Sequence, residues 1–162
     1  MSEPLDTSPV PDYAALHHLD GRPFVLLGAG NGIGRQTAHA LTAAGARVLC
    51  VDLDQGRAEA VAAETGGIAY VADVTRREDV RELFAYARRE LGGLGGVVDI
   101  VCMARYTPLD ELDDASWDWH FSLVLRHAWL AVQYGGEALA DAGGGPLVFV
   151  ASVSGLTAAP LH

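Results

Sequence analysis

The feature that most constrains this chain is an alternation of two hydrophobic periods. Short apolar runs at 24–27, 48–51, 68–71, 97–103 and 147–151 are separated by stretches in which apolar residues recur every three or four positions. Runs that are apolar at successive positions suit strands buried on both faces, and the stretches between them suit amphipathic helices. The first helix is expected over 33–44, ended by Gly45, and the second over 55–64, stopped by Gly66-Gly67. Thr75-Arg76-Arg77-Glu78 has capping-box spacing, and Val80, Leu83, Phe84, Ala87 and Leu91 then share one helical face. Residues 92–96 read as a glycine loop. A long helix is expected over 115–140, with Trp117, Phe121, Val124, Leu125 and Ala128 on its buried side. Trp117, Trp119 and Trp129 read as packing residues of that helix. Strands alternating with helices imply βαβ units, and right-handed crossovers wind them into a doubly wound sheet. The expected fold class is α/β, with five parallel strands and helices on both faces.

A chain of 162 residues makes one domain, expected over 21–162 behind a flexible leader at 1–20. The leader carries Pro4, Pro9 and Pro11 and lacks the basic and apolar regions of a signal peptide. No apolar stretch is long enough to span a bilayer, so a cytoplasmic location without a membrane partner is expected. A formal net charge of −10 argues against a nucleic-acid partner. Every basic residue is arginine; the chain has no lysine. Cys50 and Cys102 each lie in an apolar run and are expected to be buried, reduced thiols. His120 and His127 share a helical face without a third ligand, so no metal site is expected.

The glycine-rich turn at 28–34 follows the first strand directly, where ligands gather in open parallel sheets. Glycines let the backbone approach an anion, and the helix that starts there points free N–H groups at it. Asp52, at the end of the second strand, is placed to accept hydrogen bonds from ribose hydroxyls. Residues 92–96 are as rich in glycine but lack this context. A phosphate-binding P-loop would need Gly-Lys-Ser/Thr, and Gly34-Arg35-Gln36 supplies neither the lysine nor the hydroxyl. Gly28-Ala29-Gly30-Asn31-Gly32 resembles the turn of S-adenosylmethionine-dependent methyltransferases. Gly28 with Gly32-Ile33-Gly34 equally resembles that of short-chain dehydrogenases/reductases. The turn alone leaves both open.

The rest of the chain resembles the short-chain dehydrogenase/reductase family, in order, from about Gly21 to Gly155. Asp73-Val74-Thr75 resembles its adenine-contacting Asp-Val pair, and Trp117-Asp118 the start of its long fourth helix. Val150-Ala151-Ser152-Val153-Ser154-Gly155 resembles the strand that delivers its catalytic serine, and has no counterpart in methyltransferases. The resemblance implies a Rossmann-type fold and hydride transfer between a nicotinamide cofactor and a small carbonyl compound or secondary alcohol. It implies a cofactor site of Gly28, Asn31, Gly32, Ile33, Gly34, Asp52, Leu53, Asp73 and Val74, joined by Met103, Ala104 and Arg105, with Ser152 catalytic. Asp52 would repel the 2′-phosphate of NADP, and the family's usual basic substitutions fall here on Asn31 and Leu53. NAD is the expected cofactor.

Three departures qualify the resemblance. The family's Asn-Asn-Ala-Gly turn is replaced by Cys102-Met103-Ala104-Arg105, so Arg105 points at a pyrophosphate, at an acidic substrate or to solvent. The family's helix asparagine aligns with Val124, which cannot hold a relay water. The family also uses a tyrosine as general acid/base, its phenol brought from about 10 toward neutrality by a lysine ammonium four residues on. That tyrosine is expected past His162, and no lysine is present. The expectation is the amino-terminal part of a longer enzyme, inactive as it stands; a non-catalytic NAD-binding scaffold is the alternative. The run 147–151 would then be an open apolar edge, and a homo-oligomer is expected.

Overall fold

Each apolar run becomes a strand and each periodic stretch a helix. The computed structural model describes residues 9–12 and 14–157. Strands β1 (Pro23–Leu27), β2 (Arg47–Asp52), β3 (Ile68–Val71), β4 (Gly96–Asp99) and β5 (Leu147–Phe149) form one sheet, in the order β3-β2-β1-β4-β5. All four pairings are parallel. The winding direction reverses between β1 and β4, which opens a crevice beyond their carboxyl ends.

Side chains alternate across the sheet and build two cores. Val25, Leu27, Leu49, Val51 and Val97 pack with helix α3 (Arg77–Leu91) and the second half of α4 (residues 114–141). Phe24, Leu26, Val48, Cys50 and Val98 pack with α1 (Gly32–Ala43) and α2 (Gln55–Thr65). Among the described residues three α-helices start on side-chain caps: Asn31 Oδ1 accepts Gly32 N at 2.8 Å, Asp54 Oδ1 accepts Arg57 N at 2.9 Å, and Asp113 Oδ1 accepts Ser116 N at 2.8 Å.

Several expectations are corrected. The capping box at Thr75 does not form, because Asp73 captures Thr75: Asp73 Oδ1 accepts the Thr75 amide at 3.0 Å and its hydroxyl at 2.6 Å. α3 therefore starts after Arg76, and Asp79 reaches back to the Asp73 amide. β4 ends at Asp99, well short of residue 103, because Asp99 Oδ1 takes the Val101 amide and turns the chain off the sheet. Cys102 is consequently exposed, while Cys50 is buried as expected.

α4 is continuous but carries π-helical turns at Ser122–Arg126 and Ala131–Gly135. Its expected buried face is wrong at Trp117, Phe121, Val124 and Leu125, which are 45% to 57% exposed. The buried positions are His127, Leu130, Ala131, Ala138 and Leu139. The helix meets α3 through its second half, where the Phe84 ring fills the space left open at Gly135. In the first half Trp117 stacks on Phe121 at 4.5 Å. Trp119 and Trp129 lie under arginines and not in the core: Arg105 covers the first, Arg77 and Arg126 the second.

β5 is a three-residue edge strand, with Val148, Phe149 and Val150 all exposed. Of the expected leader, residues 1–8 and 13 lie outside the described residues. Ala15–His17 makes a single 3-10 turn, and the Leu19 and Gly21 amides bond the carbonyls of Ala44 and Gly45. Among the described residues no helix is long and apolar enough to cross a membrane.

Candidate functional site

A groove of about 790 Å³ lies beyond the carboxyl ends of the strands. Its glycine wall is shaped by what a side chain would strike. Gly28 leaves β1 with φ +79°, and a Cβ there would stand 3.1 Å from Val101 Cγ2. A Cβ on Gly34 would run into the Gly28 carbonyl oxygen, and one on Gly30 would press on Asp52 Oδ2 and Arg57 Cβ. Backbone therefore lines the groove here, and the first turn of α1 directs its N–H groups into it.

Asp52 closes β2 with both carboxylate oxygens engaged. Oδ2 accepts Gly30 N at 2.9 Å and Oδ1 accepts Asp54 N at 3.0 Å. The carboxylate is thus fixed against the glycine turn, and each oxygen keeps a lone pair for a further donor. Beside it, the Asp73–Thr75 hydrogen bonds hold Val74, which is nearly buried, at the groove floor.

The opposite wall comes from residues 100–103 and from the chain that leaves β5. Ser152 caps a short 3-10 turn, its Oγ accepting Ser154 N at 3.2 Å, which leaves its O–H free to donate.

Of the residues singled out from sequence, Gly28, Asn31, Ile33, Gly34, Asp52, Leu53, Asp73, Val74, Met103 and Ser152 line this one groove. Gly32, Ala104 and Arg105 do not. Gly32 serves the turn through its φ of +51°. Arg105 stacks on Trp119, 3.9 Å from the ring centroid. Its backbone is pinned as well: His120 Nδ1 meets the Ser116 carbonyl at 2.7 Å, and Nε2 lies 3.1 Å from Arg105 N and 3.0 Å from the Arg105 carbonyl oxygen. Val124 lies outside the lining and Leu123 within it, in the π-helical turn that shifts the helix register.

Sequence reasoning missed Arg57, Thr75, Val101, Cys102 and Leu123 as lining residues. Arg57 had a local signal, one turn into the helix that follows Asp52; Val101 and Leu123 had none. Arg35 is turned away from the groove and pairs with Glu64 at 2.7 Å; together with His39 it holds the Glu64 carboxyl below the usual range.

Comparison with known proteins agrees with this geometry. The short chain dehydrogenase family model matches residues 23–162. D-threitol dehydrogenase from Mycolicibacterium smegmatis is 33% identical over 149 residues, covering 89% of this chain and 57% of that protein. A short-chain type dehydrogenase/reductase from Mycobacterium marinum superposes with a TM-score of 0.86 at 26% identity, covering 91% of this chain and 62% of that one. A 7α-hydroxysteroid dehydrogenase complexed with NADH and 7-oxo glycochenodeoxycholic acid shares the fold at 24% identity and a TM-score of 0.84, covering 90% of this chain and 59% of that one. The chain spans between 57% and 62% of the length of these relatives.

Proposed function

The chain belongs to the short-chain dehydrogenase family, and from that premise we propose that its groove holds NAD(H) for hydride transfer involving a small carbonyl compound or secondary alcohol. One observation carries the reading: Asp52, fixed at the end of β2 against Gly30, stands where a ribose would present its hydroxyls. The fit rests on the turn: Gly28, Asn31, Ile33 and Gly34 line the groove at the start of α1, where a helix N-terminus favours an anion. In this reading the Gly28–Gly34 turn faces the pyrophosphate, with the amides of Asn31, Ile33 and Gly34 toward it while the Gly28 amide stays on the Val51 carbonyl. Asp52 and Leu53 face the adenosine ribose, and Asp73-Val74 the adenine. Met103 and Ser152 line the nicotinamide side.

The nicotinamide supplies hydride chemistry when bound. Ser152 donates its O–H to the substrate oxygen and so orients the carbonyl. No lysine is present to bring a phenol toward neutrality. The chain spans 57% to 62% of the length of the relatives named above, and in this reading it is the dinucleotide-binding part of such an enzyme. The exposed stripe of Trp117, Phe121, Leu125 and Val132 on α4 supports self-association of two copies. Asp114 and Asp118 lie at one end of that stripe and Arg126 further along it, so an antiparallel pair matches opposite charges.

Arg57 favours a second reading. It lines the groove beside Asp52, and a cation there suits the 2′-phosphate of NADP. Fluorescence titration of the 162-residue chain with NADH and NADPH separates the two. Tighter NADH binding is expected, little changed by Arg57→Ala. Tighter NADPH binding that this substitution abolishes transfers the assignment to NADP, and binding of S-adenosylmethionine without either dinucleotide refutes both.

A further inference from the structure

The two sides of the β4–β5 wall meet at one buried carboxylate. Asp99, 2% exposed, closes β4; its Oδ1 accepts Val101 N at 3.0 Å and its Oδ2 pairs with His127 Nδ1 at 2.8 Å. A carboxylate only accepts, so the shared proton sits on Nδ1. The Asp99 carbonyl accepts Val150 N at 3.0 Å, two residues before Ser152. His127 is 4% exposed, lies on α4 between its two π-helical turns, and its Nε2 has no partner among the described residues. An apolar side chain of similar shape would fill this space without burying an orphan nitrogen, so packing alone does not account for the histidine.

What the pair does control is aim. Through the Val101 amide the Asp99 side chain sets the residue that lies beside Gly28, and the Asp99 backbone that the pair anchors to α4 carries Val150, two residues before Ser152. We propose that Asp99 and His127 are positioning residues that lock the nicotinamide-side wall of the groove to α4 and to the glycine turn. The inference rests on the dinucleotide reading of the groove. The adenosine side, held by Asp52 and Asp73 through their own bonds, does not depend on the pair.

The test compares ADP, which reaches only the adenosine side and pyrophosphate turn, with NADH, which also reaches the far wall. In the 162-residue chain, His127→Leu weakens NADH binding about tenfold and leaves ADP binding unchanged. His127→Asn, which keeps an N–H donor, recovers part of the loss. Equal loss of both ligands, or loss of neither, overturns the proposal. If the leucine variant does not fold, hydrogen exchange in the unaltered chain decides. NADH, but not ADP, should increase protection of the Val101 and Val150 amides, and equal protection by both overturns the proposal. An unaltered chain that binds neither ligand sinks the dinucleotide reading and this inference with it.

Discussion

At the β2 end of the groove, Asp52 is tied to Gly30 and Asp54, Asp73 is tied to Thr75 and Asp79, and β2 beneath is buried from Val48 to Val51. At the β5 end, Val148, Phe149 and Val150 are 47%, 37% and 45% exposed, and one Asp–His pair fixes the chain to the helix above. The first region is braced by several bonds to the carboxylates of Asp52, Asp73 and Asp79. The second hangs on a single side-chain pair, and its apolar residues are exposed.

The contrast can be broken most directly at the turn. Gly34→Val forces a side chain into the Gly28 carbonyl, so NADH binding should be lost altogether; binding retained would mean that the turn is not the cradle. In the core, Leu26→Ala should cost about 2–5 kcal/mol in urea unfolding, because Leu26 has no exposed surface and lies between layers. Val148→Ala on the open edge should change stability by less than about 0.5 kcal/mol. Equal costs would erase the distinction between the two regions.

The two cysteines sharpen the same comparison by chemistry. Burial pushes the Cys50 thiol up, partly offset by its bond with Thr65, whereas Cys102 is exposed in the groove lining. Because the thiolate is the nucleophile, iodoacetamide near pH 8 should label Cys102 and spare Cys50, with NADH protecting Cys102. Mass spectrometry showing labelling of both at one rate would contradict this. On α4, Leu125→Arg should lower the molecular weight measured by light scattering if the exposed stripe pairs two copies; an unchanged mass removes that surface from consideration.

The smallest effect is on the outer face. Glu64 has a folded pKa below its ordinary value of 4.5, through its bonds to Arg35 and His39. The stability it adds is present above that value and is lost as pH falls through the lower folded one. The group is fully exposed, so Glu64→Gln should shift the urea midpoint only slightly, and only above pH 4.5.

These contrasts also explain what was readable in the sequence. The glycine turn, Asp52 and the five strands were legible because their causes are local: backbone conformation at Gly28, close approach at Gly34, and short apolar runs, buried in β1, β2 and β4. The face of α4 was not. A regular 3.6-residue period misplaces Trp117 to Leu125 once the π-helical turns enter, and nothing local announces those turns. The end of β4 was hidden for another reason: Ile100 to Met103 are as apolar as a strand, and only the Asp99 side chain diverts them. Arg105 likewise found its place through Trp119, a partner that sequence spacing does not reveal.

Nuclear magnetic resonance of the 15N-labelled 162-residue chain, titrated with NADH, tests the central claim residue by residue. The largest amide shifts are expected at 28–34 and 52–54, smaller ones at 73–75 and 101–103, and none at 92–95 on the opposite end of the sheet. Shifts confined to residues 92–95, or a spectrum that NADH leaves unchanged, would contradict it.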